Sequence, residues 1–424
     1  MNKLAIYGGP KVRKTSFPSR MIGASLVGEE ELKELADVVA EKSPFRHYGV
    51  GNPHKVKDFE EEAKRMLGSK YVLAVSSGSA ALFCAVAALG IDAGDEVIMP
   101  AFGWYSVYSS VVYAGALPVF AEIDDTLNLD PEDFKKKITD KTKAVIVIHY
   151  QGGAAKIDEI ASIAKSNNIK IIEDCAQAFG GQYKGKMLGT LGDIGITSFQ
   201  TNKIITCGEG GLLYTDCEEY FARAVRYHDL GFMRKYFMEQ LENKTWAEDS
   251  KSFAGLQFRM SELQGAFILA QIRKLPYIIT KCRENHQKIK EYFKNSKHFT
   301  FRPVDKGECG ITLFMKFATA NEASLFSKAL VAEGIPVGPS SSCTNLLDSP
   351  IIKLKKKAQE NMPPFGKGCI GEDIVYDSAI LCPKTNEILS RYVAIPISPL
   401  YSDEDIEDII KAIEKVEQGL YCNH

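Results

Sequence analysis

The sequence predicts an α/β fold: a large domain on a mainly parallel seven-stranded sheet, followed by a smaller C-terminal α+β domain. Three observations point there. Seven short apolar runs alternate with amphipathic helical patterns through roughly the first 270 residues. The run AVIVIH (144–149) lacks polar alternation, as in a strand covered on both faces. From Met260 the pattern changes to one long helical stretch and then to mixed strand and helix.

The strands are predicted at 71–75, 96–99, 117–120, 144–149, 170–173, 194–199 and 211–214. Helical patterns fall between them, including 55–67, 79–89, 131–138 and 157–166. Ligands of such sheets sit at the carboxyl ends of the strands, where loops leave for the helices. Beyond MSELQGAFILAQIRKL the long helix runs to Phe293. It is followed by strand-like GITLFMKFA, a helix near 322–333, strand-like YVAIPIS and an amphipathic helix at 403–417. This divides the chain into a large domain with an N-terminal arm (1–270) and a small domain (271–424). The Ser-, Pro- and Gly-rich stretch 339–381 reads as a surface excursion, and the charged segment 235–252 as a loop facing a partner.

Bulk properties narrow the function. A formal net charge of −2 without a basic stripe disfavours nucleic acid, whose phosphates demand a concentrated positive face. The ten cysteines stand singly, with no CxxC and no His–Cys cluster, so neither a metal site nor a secreted disulfide framework is expected. The uncharged stretch 97–121 is long enough for a membrane helix, yet Pro100, Gly103, Gly115 and Pro118 break it. MNKLAIYGGP lacks the apolar length of a signal peptide. A soluble cytoplasmic enzyme is expected.

Three segments carry chemistry. IKIIEDCAQAFGG puts Asp174 just past a central strand, and SFQTNKIITCGEGG puts Lys203 after another strand and before a Gly-rich turn. VSSGSAAL makes a small polar turn between a strand and a helix beginning near Ser79. Pyridoxal 5′-phosphate (PLP) needs an amine for a Schiff base, a carboxylate at its ring nitrogen and backbone amides for its phosphate. A lysine, an aspartate and a Ser-Gly-Ser turn at strand ends meet those demands. Each residue also has a plainer use. Asp174 and Ser79 suit helix caps, Trp104 suits core packing, and His149 suits a satisfied core histidine. Cys175 and Cys207 receive no role.

These motifs resemble the DegT/StrS family of sugar aminotransferases. The likeness spans nearly the whole chain, from HKVKDFEEEAKRMLGSKYVLAVSSGSAAL through GIDAGDEVIMP, IIEDCAQAFG, SFQTNKIITCGEGG and GLQFRMSELQGAFILAQI to RYVAIPISPLYSDEDIEDIIKAIEKV. It implies a fold type I PLP-dependent transferase in which Lys203 forms the Schiff base. Asp174 would pair with the ring nitrogen, and Gln177 would reach the ring hydroxyl. Gly78 and Ser79 would bind phosphate through their amides, with the Ser198 hydroxyl assisting, and Trp104 would stack on the ring. Gln257, where the family more often has Asn, would reach the phosphate of the neighbouring subunit in a homodimer. Arg259 would hold a carboxylate of the amino donor.

Glutamate or glutamine is the implied donor. The acceptor is a nucleotide-linked keto sugar, a keto-cyclitol or a higher sugar acid; Gln200 stands where many nucleotide-sugar members have His. Two alternatives remain at this point: a PLP-dependent sugar dehydratase, whose known members lack the lysine, and a non-catalytic PLP-binding regulator.

Overall fold

The computed structural model describes residues 3–338 and 344–421. Its main sheet contains β1 (Tyr71–Val75), β2 (Glu96–Pro100), β3 (Leu117–Ala121), β4 (Thr142–Ile148), β5 (Lys170–Asp174), β6 (Ile194–Ser198) and β7 (Gly211–Thr215). They lie in the order β1-β7-β6-β5-β4-β2-β3. All pairings are parallel except those of β7, which runs antiparallel to both β1 and β6. The predicted mainly parallel sheet is therefore observed, and all but one of its strands end on the same edge.

Every residue of β1, β2, β6 and β7 is buried. That follows from helices lying on both faces, and it explains runs such as YVLAV that show no alternation. The helix Gly78–Ala88 is buried on nearly all sides and is built almost wholly of small and apolar residues. Ser77 caps it, its hydroxyl accepting from the Ala80 amide at 3.0 Å. Ser79, one residue inside the helix, is not the cap; its hydroxyl instead meets that of Ser106 at 2.7 Å.

The long helix Glu262–Tyr292 starts at a capping box, Ser261 and Gln264 each accepting the other's backbone amide. Near its start Gly265 lets it approach the helix Lys55–Leu67, since a β-carbon there would stand 2.6 Å from a methyl of Val56. The second sheet is antiparallel, with β8 (Phe299–Phe301), β9 (Thr312–Phe317) and β10 (Tyr392–Pro396) in that order. Leu313, Met315 and Phe317 of β9 pack with Phe326 and Leu330 of the helix Ala320–Ala332, and with Ile409 and Ile413 of the helix Asp403–Tyr421. Each such fully buried side chain contributes about 1.5–3 kcal/mol of transfer free energy. Leu4 of the N-terminal arm joins the same cluster.

Two expectations need correction. The segment expected as a surface excursion is partly core. Leu346, Leu347, Ile352 and Tyr376 are buried in the large sheet's cluster, and the Tyr376 hydroxyl donates to the Pro118 carbonyl at 2.8 Å. Its apolar residues follow neither a helical nor a strand period, so pattern alone cannot reveal their burial. Residues 339–343 of that stretch lie outside the described residues. Within 235–252, the expected loop holds a short helix, Lys235–Gln240, which turns Phe237 fully inward against Phe221, while most of 242–252 is exposed. Among the described residues no helix is long and apolar enough to cross a membrane.

Candidate active site

The carboxyl ends of β1, β2, β4, β5 and β6 converge on one cleft, whose inner chamber has a volume of about 300 Å³ and is lined by Trp104, Gln177 and Lys203. Asp174 is the last residue of β5 and is nearly buried. Its Oδ1 accepts from the Ala176 amide at 2.9 Å. Burial lifts its carboxyl above the ordinary range, against the Ala176 bond and the nearby positive charge of Lys203. Lys203 follows β6 in a tight turn in which its amide donates to the Gln200 carbonyl at 2.9 Å. Burial lowers the pKa of its amine, and Asp174 opposes that shift.

The other end of the site is built on the helix Gly78–Ala88. Of its first amides, that of Ala80 is taken by the Ser77 hydroxyl and that of Ala81 by the Ser77 carbonyl. Those of Gly78 and Ser79 remain as donors at a helix N-terminus, where an anion is favoured. Gly78 also faces Ser198 closely: a β-carbon would lie 2.5 Å from Ser198 Cβ and 3.0 Å from its hydroxyl. This cradle, together with Lys203 beside a buried carboxylate, fits PLP: the helix amides would take its phosphate and Asp174 would pair with its ring nitrogen. Gly78→Ala is expected to weaken cofactor affinity about tenfold through this clash, measured by titrating the cofactor and following its absorbance.

Trp104 caps the helix Tyr105–Tyr113 and is 64% exposed at the chamber wall. Gln177 lies on the same wall, where its Oε1 accepts from the Gln151 amide at 3.4 Å. Gln257 and Arg259 are not among the residues lining the chamber. Gln257 is exposed and bridges to Asp229, while Arg259 is ion-paired with Asp229 and stacks on Phe45.

Sequence reasoning missed part of the wall. Gln151 has a left-handed backbone (φ 45°) and lines both the inner chamber and an adjoining outer one. A small-domain residue, Arg302, fixes this turn. Its guanidinium donates to the Tyr150 carbonyl at 2.8 Å and the Gln151 carbonyl at 3.2 Å, and lies over Phe314. The Gly152–Gly153 pair after β4 was the available signal for a strand-end turn; nothing local marks Arg302.

Behind Asp174, Glu173 supports the site floor. Fully buried, it accepts from the amides of Gly189, Leu191 and Gly192, and from His149 Nε2 at 2.8 Å. His149 Nδ1 accepts from the Ala155 amide at 3.1 Å, which leaves the proton on Nε2. His149 is thus the satisfied core histidine. Glu173→Gln places an amide against these donors and is expected to lower stability by about 3 kcal/mol, read from chemical denaturation.

A family model described as the DegT/DnrJ/EryC1/StrS aminotransferase family matches residues 27–339. The chain belongs to that family. As a DegT/DnrJ/EryC1/StrS member it is a PLP-dependent aminotransferase. The chain is 30% identical over 397 residues to the spore coat polysaccharide biosynthesis protein SpsC of Bacillus subtilis, covering 93% of this chain and 96% of that one. It is 36% identical over 272 residues to the putative L-glutamine:3-amino-2,3-dideoxy-scyllo-inosose aminotransferase of Micromonospora echinospora, covering 64% and 61% of the two chains. An aminotransferase structure from Psychrobacter cryohalolentis superposes with a TM-score of 0.76 at 25% identity, covering 95% of this chain and 98% of that one.

Proposed function

We propose that this DegT/DnrJ/EryC1/StrS aminotransferase moves an amino group from glutamate or glutamine to a keto sugar or sugar-like ketone by ping-pong turnover, with Lys203 as its acid–base residue. The observation that carries this reading is the half-buried lysine beside a buried strand-end aspartate, with the free amides of a helix N-terminus at the same edge of the sheet. The relative named for a scyllo-inosose substrate and for L-glutamine supports the donor and a cyclitol-like acceptor.

When bound, PLP supplies the electron sink and carries the amino group between the two substrates. The chain's own residues do the rest. Gly78 and Ser79 hold the phosphate with backbone amides, and the Ser198 hydroxyl adds a third donor. Asp174 keeps the ring nitrogen protonated by placing a negative charge beside it. Lys203, its amine made less basic by burial, takes the α-proton of the donor onto Nζ and returns a proton on the opposite half-turnover. Gln177 orients the ring hydroxyl, and Trp104 covers the ring and excludes water. Gln257, set apart from the chamber of its own chain, reaches the phosphate of the neighbouring site in a homodimer, and Arg259 holds a carboxylate of the amino donor. The cysteines unpaired among the described residues suit a cytoplasmic setting.

The test is optical. The protein with PLP is expected to show the visible band of the lysine-linked cofactor, and glutamate or glutamine to convert it to the aminated form. A band that no donor changes favours the dehydratase or regulatory alternatives, and no band at all rejects Lys203.

A further inference from the structure

The inner chamber opens into an outer one of about 460 Å³, and the two share Tyr150, Gln151, Asn202, Ile204 and Ile311. The outer chamber lies on the seam between the lobes, walled by Phe314 of β9, Pro396 of β10 and the N-terminal arm. Its size suits a monosaccharide. One side is apolar, through Ile204, Ile311 and Ile397, and the other offers the amides of Gln151 and Asn202 and the hydroxyl of Thr312. A carbohydrate ring, with apolar faces and hydroxyl edges, matches such a division.

The charge there is one-sided. Arg20 is the one ionised side chain among the described residues lining the outer chamber, as Lys203 is in the inner. Among the described residues no carboxylate lies within ion-pair distance of the Arg20 guanidinium; its electrostatic neighbour is Tyr401. Nor is the arm loosely placed. The Ser19 carbonyl accepts from the Ser398 hydroxyl at 3.4 Å, and the Gly23 amide donates to the carbonyl of Lys203 itself at 3.3 Å. Gly23 is pressed so near that a β-carbon would lie 2.9 Å from Ile205 Cα. The backbone on either side of Arg20 is thus tied to the small lobe and to the turn of Lys203, while Arg20 itself is exposed. A fork-shaped cation in that position binds a carboxylate or phosphate through paired hydrogen bonds.

We propose that Arg20 is the anion-recognising residue of the acceptor chamber, and that the acceptor is a monosaccharide-sized ketone bearing a carboxylate or phosphate. This rests on the aminotransferase reading, because it takes the outer chamber as the place where the acceptor waits with its carbonyl directed to Lys203.

The test uses holoenzyme converted to its aminated form by glutamate or glutamine and freed of excess donor. Return of the cofactor spectrum is followed with 2-ketogluconate (carboxylate), fructose 6-phosphate (phosphate) and neutral fructose. In the unmodified protein at least one charged ketone is preferred over fructose, and the better of the two identifies the anion. In Arg20→Gln the charged-to-neutral ratio of kcat/KM falls about tenfold or more, and Arg20→Lys restores part of it. Lys14→Gln removes the same charge from an exposed place on the arm and leaves the ratio alone. An unchanged ratio in Arg20→Gln, or a loss confined to the donor half-reaction, overturns the proposal.

Calorimetric titration of the two charged ketones into unmodified and Arg20→Gln holoenzyme separates this inference from the reading beneath it. If no donor aminates the cofactor but a charged ketone binds and loses affinity in Arg20→Gln, transamination falls and the anion subsite stands. Equal affinity in both proteins, or no binding to either, removes the subsite whatever the turnover.

Discussion

Replacement of Lys203 by alanine lowers turnover by about four orders of magnitude, the range expected for losing a positioned acid–base group. The fold survives the change. Among the described residues the Lys203 amine has no hydrogen-bond partner, and burial already disfavours its charge, so truncation leaves no buried group newly unpaired except Asp174. Without the lysine's charge, the Asp174 carboxyl moves further above its ordinary range, since Lys203 is one of the influences that hold it down. The variant still takes up PLP through Gly78, Ser79 and Ser198, but the visible band of the lysine-linked form is missing. Stopped-flow absorbance with glutamate or glutamine measures both effects. Activity within tenfold of the parent would return the assignment of the acid–base residue to the remaining side chains of the chamber.

Asp174→Asn is expected to keep the lysine-linked band and to slow each half-reaction by about a hundredfold to a thousandfold, the scale seen when one preorganised electrostatic partner is removed from an active site. A neutral amide no longer favours a protonated ring nitrogen, which weakens the electron sink at the moment charge develops. A second signature follows from the coupling of the two residues. Asp174 raises the Lys203 pKa against the effect of burial, so removing its charge lowers that pKa further. Lys203 then becomes a proton acceptor at lower pH, and the acid limb of the donor half-reaction shifts to lower pH. A merely structural lesion slows the reaction without moving that limb, so rate profiles from pH 5 to 9 separate the two explanations.

What the sequence disclosed and what it withheld divide along the range of the interactions. β1 to β7 were legible because each is a short apolar run bounded by turn residues, a signal contained within ten or so positions. Asp174 and Lys203 were legible for a related reason, as each stands one step beyond such a run, where strand ends gather. Ser77 and Ser79 were harder. VSSGSAAL offers three serines, and the cap belongs to Ser77 because its backbone is extended while Gly78 has already entered the helix. Neither what fixes the wall at Gln151 nor the buried stretch around Leu346 was legible. The first depends on Arg302, some 150 positions away. The second depends on apolar residues that follow neither period, with the Leu346 amide donating to the carbonyl of Ala101 across the fold. Side chains that act through distant backbone leave no trace in local composition.

The seam between the lobes has a consequence for descent. The groups proposed to handle protons and hold the phosphate all stand on the main sheet's strand ends and the turns beyond them. The far side of the outer chamber is drawn from β9, β10 and the N-terminal arm. Mutations on that side can reshape what is accepted while the proton-handling pair behind it is inherited intact. A lineage built this way changes its clientele far more readily than its trade.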